Sequence, residues 1–273
     1  MDSRAKGGAE ETIQIDFSLS VGPGRLDASV HVPAGRVTLT QILPAIQALT
    51  SNIVDSVVQI VASEGRHVSC RAGCGACCRQ MVPLSIFEAE ALAAWIATLP
   101  EDRREQLRLR FHHTLLALKE SGLLERMDPE QWVDGSETAK TLAIDYLAAK
   151  IPCPFLEDER CSIHSTRPLI CREYLVTSPP QFCEAPSVDL VAGVPMPLRP
   201  SLSLFRLGAQ IEKGGRGWFP LVFLFAWIQS GAQPGDRFSG PGPDVLYQFV
   251  KNLSPAPSPT DPPAAASPTE LPS

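Results

Sequence analysis

The cysteines of this 273-residue chain are confined to two short stretches. Four of the eight lie within nine residues, in the segment CRAGCGACC that runs from Cys70 to Cys78, and the other four lie between Cys153 and Cys183. A fold that used cysteine only as a small apolar side chain would scatter it among its elements. The clustering therefore indicates a metal or iron–sulfur site that holds two distant parts of the chain together.

Charge and hydropathy limit the class of protein. The formal net charge is −6 and the pI is about 5.4, which argues against nucleic acid or anionic lipid as a partner. The first residues, MDSRAKGGAEETIQ, have no secretory h-region. The longest apolar run, Trp218 to Ile228, is too short to span a bilayer and predicts a buried helix. We expect a cytoplasmic protein without a membrane span, whose clustered thiols are metal ligands or redox groups.

The N-terminal region shows two periodicities. Residues 12–21 and 26–32 alternate apolar and polar side chains, and Gly22-Pro23-Gly24 between them is turn chemistry, so we predict a β-hairpin with one buried face. Helical spacing follows from Ile42 to about Glu64, with Thr40 as the expected N-cap.

Capping residues and helix-breaking residues predict further helices. Ser85-Ile86-Phe87-Glu88 is a capping box that opens a helix, and Pro100 separates this helix from a charged one at about 101–120. Other helices are predicted from Asp128-Pro129, at about 137–149, at about 201–212 and at about 218–230.

These elements predict a mainly α fold with an N-terminal β-hairpin, in which a helical scaffold carries an irregular cysteine-rich metal-binding module. The expected divisions are a flexible N-terminus at 1–11, the hairpin and long helix at 12–66, a cysteine-cluster metal-binding domain at 67–186, a C-terminal helical extension at 187–253, and a disordered Pro-rich tail at 254–273. Residues 151–186 have little expected regular structure, and a metal would hold such a segment in place.

The spacing of the first four thiols suits metal ligation but leaves several arrangements open. Gly73 and Gly75 flank Cys74 and allow the backbone to turn tightly around an ion. The side chains of the neighbours Cys77 and Cys78 diverge, which fits a polynuclear cluster, two nearby sites, or one ligand beside one buried thiol. Because a single zinc ion or conventional cluster takes four ligands, either two sites exist or some thiols are not ligands.

The order of the motifs resembles that of a known family. CRAGCGACCR is followed by CPFL, by C-x-I-H-x-x-R-P and by CREY. Over about residues 68–183 this order is similar to the bacterial CxxCxxCC, or YkgJ-like, cysteine-cluster family of zinc- or iron-chelating proteins. The first spacing here is C-x3-C rather than C-x2-C, and Cys183 lies downstream of the best-matching block. The resemblance implies metal binding and, for one branch, a distant similarity to flagellin lysine N-methylase.

The predicted cofactor is an iron–sulfur cluster or zinc. Its core ligands would be six cysteines, with two more as further candidates: Cys74, Cys77, Cys78, Cys153, Cys161 and Cys171, then Cys70 and Cys183. Arg167 and Arg172 flank Cys171 and could stabilise an anionic thiolate cluster or bind a carboxylate substrate. The alternative is that they form ordinary ion pairs with nearby acids, namely Glu157, Asp158, Glu159 or Glu173. For His164 we favour a half-buried ring packed on Ile163 and Pro168 over a metal ligand.

Several functions fit such a site. A closed zinc site would suit a structural accessory module that binds an as yet unknown protein partner. An iron–sulfur site would suit a protein methyltransferase-like enzyme, although no S-adenosylmethionine-binding glycine motif is visible. A metal carrier or redox sensor is the third alternative. No catalytic residue is identified from the sequence.

Overall fold

The computed structural model describes residues 11–127, 136–184, 190–212, 215–231 and 238–253. It confirms the mainly helical fold and the N-terminal hairpin. Strand β1 (Thr12–Val21) pairs antiparallel with β2 (Gly24–Pro33), and Thr12 lies opposite Pro33. The turn uses Gly22 at φ +56°, a conformation that favours glycine. Alternate side chains of β2 point into the core because successive residues of a strand face opposite sides.

Helix α1 (Leu43–Ser63) packs its apolar row against β2 and against α5 (Leu169–Glu173). The prediction of Thr40 as its N-cap was wrong, since the helix begins after Ile42 and the Thr40 hydroxyl donates instead to Glu90. Pro44 lies in the first turn, where its missing N–H costs nothing. Among the described helices, α1 is long and apolar enough to cross a membrane by length and composition alone.

The next helices have the predicted bounds to within a residue or two. Helix α2 (Ile86–Thr98) begins with the Ser85–Glu88 capping box, α3 covers Glu101–Glu120, and α4 covers Glu137–Ala148. Helix α6 covers Pro200–Ile211. The helix predicted from Asp128-Pro129 lies outside the described residues, as do the tail at 254–273 and residues 1–10 of the predicted flexible N-terminus.

The helix predicted over 218–230 was wrong in its first half. Strand β7 (Trp218–Pro220) pairs with β4 (Pro83–Ser85), a 3-10 turn follows over Leu221–Phe223, and only α7 (Leu224–Gln229) is α-helical. The apolar composition of this segment does not make its first half helical, because a partner strand is available and Pro220 cannot donate a helix hydrogen bond.

Two C-terminal elements were not predicted. Strand β8 (Ser239–Pro241) pairs with β3 (Arg36–Thr38), and helix α8 (Gly242–Lys251) packs Val245, Leu246 and Phe249 into the core beneath the hairpin. The Gly-Pro start of α8 looks like a loop in sequence, although proline in the first helical turn is favourable.

The cysteine-rich segment connects two apolar cores. One core lies among the hairpin, α1, α6 and α8, and it includes Leu169 and Leu175. The other lies among α2, α3 and α7, and it includes Phe155 and Ile163. Between these anchors the chain forms a two-residue hairpin, β5 (Leu156–Glu157) with β6 (Arg160–Cys161), and then α5. The segment is therefore positioned at both ends by burial rather than by long regular elements.

Candidate metal centre

The two cysteine stretches meet in the fold. The amide of Cys153 donates to the carbonyl of Cys78 at 2.7 Å, and the amide of Ser69 donates to the carbonyl of Val176 at 2.8 Å. These two bonds fix both ends of the first cysteine stretch against the second. The prediction that the motifs come together on the scaffold is confirmed at the level of the backbone.

Two glycines allow the first stretch to approach its neighbours. Gly73 has φ +84°, a conformation that other residues rarely adopt. At Gly75 a Cβ atom would lie only 2.5 Å from the carbonyl oxygen of Glu159. The β5–β6 hairpin therefore packs directly on the backbone of Gly75. Arg79 stabilises this contact, because its guanidinium forms an ion pair of 2.7 Å with Glu159.

All eight cysteines are free thiols, and they line two adjoining cavities. Seven of them line a cavity of about 330 Å³: Cys70, Cys74, Cys77, Cys78, Cys153, Cys161 and Cys171. The eighth, Cys183, is buried and lines a cavity of about 20 Å³ with Cys70, Cys74 and Cys77. Within the described ranges, no three Cys, His, Asp or Glu side chains surround one point closely enough to hold an ion. Ligation would therefore require rotamer changes of the thiols, whose backbone positions already converge.

Burial sets the protonation of most of these thiols. It raises the pKa of Cys153 to about 12 and that of Cys183 to about 11, and it holds the pKa of Cys171 well above its ordinary value. Backbone amides oppose this effect, because Phe155 N–H donates to Cys153, Ile163 N–H donates to Cys161 and Val176 N–H donates to Cys70. Such amide-to-sulfur bonds stabilise the thiolate form that a metal requires.

Cys77 differs from the other buried thiols. The thiol of Cys78 donates to its sulfur, and this bond lowers the pKa of Cys77 to about 7 although burial opposes the change. The same bond, with burial, raises the pKa of Cys78. Cys77 is therefore the thiol of this pair that ionises more readily.

Arg167 lines the larger cavity and provides a test of what fits there. Burial raises the pKa of Cys70 and Cys161, and the charge of Arg167 opposes this at both thiols. Its Nε atom is buried and has no hydrogen-bond partner among the described residues, while another guanidinium nitrogen contacts exposed His164. An unpartnered cationic donor beside several thiols fits an anionic metal–thiolate group.

Arg172 has a different role in the structure. Its guanidinium donates to the carbonyls of Ser165 and Arg167 and to the Ser51 hydroxyl, and it is not among the residues that line the larger cavity. It stabilises the turn before α5 rather than contacting the thiols.

Neither arginine forms the ion pairs considered as the alternative, within the described part of the chain. Glu157 instead pairs with Arg103 and Arg110, Glu159 pairs with Arg79, and Glu173 pairs with Arg199. The prediction for His164 was also wrong in detail, since the ring is exposed rather than half-buried.

Two buried glutamates position Cys171, and sequence reasoning missed both roles. Glu88 accepts the amide of Leu169 at 2.7 Å while its other oxygen holds Ser85, so it joins the starts of α2 and α5. Glu173 accepts both the amide and the hydroxyl of Ser201, each at 2.6 Å, which joins α5 to the start of α6. The capping box revealed the local role of Glu88, but nothing in the sequence indicated its second partner.

A separate cavity of about 470 Å³ adjoins the thiols. Cys77 and Cys171 lie at its wall, and most of the remaining lining is apolar, including Met81 and Met196. Its polar lining comes from Gln80, Glu173, Tyr174 and Arg199. This volume is within the range of small-molecule sites.

Residues 69–188 match a family model named CxxCxxCC, with the description "Putative zinc- or iron-chelating domain". This segment is therefore a cysteine-cluster domain of that family, as its motifs predicted. A search of curated proteins and a search of solved structures each found no match. The similarity to flagellin lysine N-methylase stays a prediction.

Proposed function

We propose that this protein binds zinc or iron through the thiolates of its CxxCxxCC domain, in the reducing environment of the cytoplasm. One observation carries the proposal: a single cavity is lined by seven free thiols and by Arg167, whose buried Nε has no hydrogen-bond partner among the described residues. Zinc and iron–sulfur clusters both take thiolate ligands, and a bound metal would supply the positive charge that makes buried thiolates stable. The Cys78 thiol donates to the sulfur of Cys77 and lowers its pKa, which favours the thiolate form that a metal needs.

The proposal includes neither a nucleic acid nor a membrane. The net charge of −6 disfavours binding to phosphate backbones and anionic lipid. The apolar row of α1, the helix whose length would suit a membrane, is buried against β2 and α5.

The test is metal and acid-labile sulfide analysis, with a visible spectrum, on protein purified without oxygen. Stoichiometric zinc, or iron with sulfide and a brown colour, would support the proposal. Cys78→Ser should lower the metal content, because Cys78 lines the cavity and its carbonyl binds the second cysteine stretch. Ala192→Ser is the matched control, since it adds a hydroxyl at an exposed position that lines none of the cavities described above and removes no thiol. Folded wild-type protein without metal would refute the proposal.

The second candidate is an enzyme whose metal centre acts on a bound small molecule. The observation that favours it is the 470 Å³ cavity, which reaches Cys77 and Cys171 and has the Glu173–Arg199 ion pair in its wall. Calorimetric titration of metal-loaded protein with S-adenosylmethionine tests the methyl-transfer form of this proposal. Gly193 lines this cavity, and a Cβ atom added to it meets nothing within 4 Å, so the protein has room for a larger side chain there. Gly193→Leu should therefore take up space in the cavity and abolish the binding heat, while the metal content stays unchanged. Absence of a binding heat in the wild type would exclude that form.

A further inference from the structure

We infer that the eight thiols form two separate four-cysteine metal sites rather than one site with surplus cysteines. The small site comprises Cys70, Cys74, Cys77 and Cys183, and the large site comprises Cys78, Cys153, Cys161 and Cys171. The inference rests on the proposed function, because it assigns ligands to the metal that the domain is proposed to bind. It assigns all eight thiols, four to each site.

The shape of the cavities is the first argument. Cys183 lines only the small cavity, together with three cysteines of the first stretch. The four remaining thiols all line the large cavity and are absent from the small one. Cys70, Cys74 and Cys77 border both cavities, and only their assignment to Cys183 gives each site the four thiolates of a closed tetrahedral site.

The apolar packing around the sulfurs divides in the same way. Cys74 and Cys77 pack with Cys183 in a small cluster that contains Ala76 and Val176. Cys153 and Cys161 pack instead on the second core, which contains the side chains of Leu84, Phe155 and Ile163. These five thiols therefore divide between two apolar clusters in the way that the two sites require.

The adjacent cysteines lie at the boundary of the two sites, on the 3-10 turn Ala76–Arg79. The thiol of Cys78 donates to the sulfur of Cys77, so the two sites adjoin at this pair. Cys77 borders the small cavity and Cys78 does not. The backbone of Cys78 is bonded to the second stretch, because the Cys153 amide donates to its carbonyl.

The two sites differ in the ligand that they can hold. A cavity of about 20 Å³ has room for a single atom the size of a water molecule, so the small site suits one divalent ion such as Zn²⁺. The large cavity of about 330 Å³ has room for a metal with further ligands or for several metal and sulfide atoms, and Arg167 lines it. The small site therefore suits an ion bound by thiolates alone, and the large site leaves room for further ligands.

Zinc stoichiometry tests the division. Protein reconstituted with Zn²⁺ without oxygen should carry two ions per chain in native mass spectrometry. Cys70→Ser and Cys161→Ser should each retain one ion, and the double variant should retain none. Cys70 is exposed and Cys161 is half-buried, so both variants should fold, which circular dichroism checks. The exposed control Ala192→Ser should retain two ions.

A measurement on the wild type does not depend on the folding of variants. With one equivalent of Zn²⁺, the thiols that resist alkylation should map as one of the two sets of four, and with two equivalents all eight should resist. A single bound ion in the wild type, a protected set that mixes the two groups, or loss of all zinc in either single variant would overturn the inference. A folded wild type that binds no zinc, iron or cluster would refute the proposed function itself, whereas one bound ion would refute only the two-site division.

Discussion

Gly75→Ala should weaken the metal centre without touching a ligand. The Cβ of alanine would lie 2.5 Å from the carbonyl oxygen of Glu159 and 2.7 Å from the side chain of Leu156. The first contact is with backbone, so no side-chain rotation removes it. The β5–β6 hairpin must move away from the first cysteine stretch, and it carries Cys161 with it.

The size of the effect follows from the geometry at this glycine. Gly75 has φ −102° and ψ 3°, so alanine adds no left-handed strain and would by itself stabilise the chain by about 0.4–1 kcal/mol through the unfolded state. Overpacking typically costs about 1–3 kcal/mol. We expect a net loss of about 1–2 kcal/mol in the free energy of unfolding. We also expect a loss of at least about tenfold in zinc affinity, which corresponds to about 1.4 kcal/mol.

Urea denaturation of metal-free protein and competition with a chromophoric chelator measure the two effects separately. Gly193→Ala is the matched control, since its Cβ meets nothing within 4 Å and its stability should stay within about 0.5 kcal/mol of the wild type. Wild-type stability together with wild-type zinc affinity in Gly75→Ala would show that the hairpin does not pack on this turn as described.

Three further predictions concern groups around the thiols. Burial raises the pKa of Glu173 from 4.5 to about 7, so protonation of Glu173 stabilises the folded state. The free energy of unfolding should therefore fall by about 3 kcal/mol as pH rises from below 4.5 to above 7. Glu173→Gln should remove this slope in urea denaturation, and an unchanged slope would contradict the assignment. Glu88→Ala should lower the free energy of unfolding by about 3 kcal/mol, because the starts of two helices lose their hydrogen-bond acceptor. Ser85→Ala should lower it by about 1 kcal/mol, and equal losses in the two variants would refute the bridging role of Glu88. Arg167→Gln should lower zinc affinity about tenfold in chelator competition at constant fold, and no change would mean that its charge does not act on the bound group.

The local features of the fold could be predicted from the sequence. The β1–β2 hairpin follows from period-2 alternation around a glycine turn, and the start of α2 follows from four residues of a capping box. Both are determined by interactions between neighbours in sequence. Where a distant partner competed, the prediction was wrong: the first half of the predicted helix at 218–230 is a strand because β4 pairs with it.

The features of the candidate site also fall into those that the sequence predicts and those that depend on distant contacts. The sequence by itself determined that this chain has a cysteine-cluster domain, because the order and spacing of its thiol motifs are properties of the chain. Only the tertiary structure decided that Cys183 lies with Cys70, that Gly75 lies against Glu159, and that Arg167 rather than Arg172 lines the larger cavity. Contacts between residues about a hundred positions apart depend on how two apolar cores orient the segment between them. No local pattern encodes that orientation.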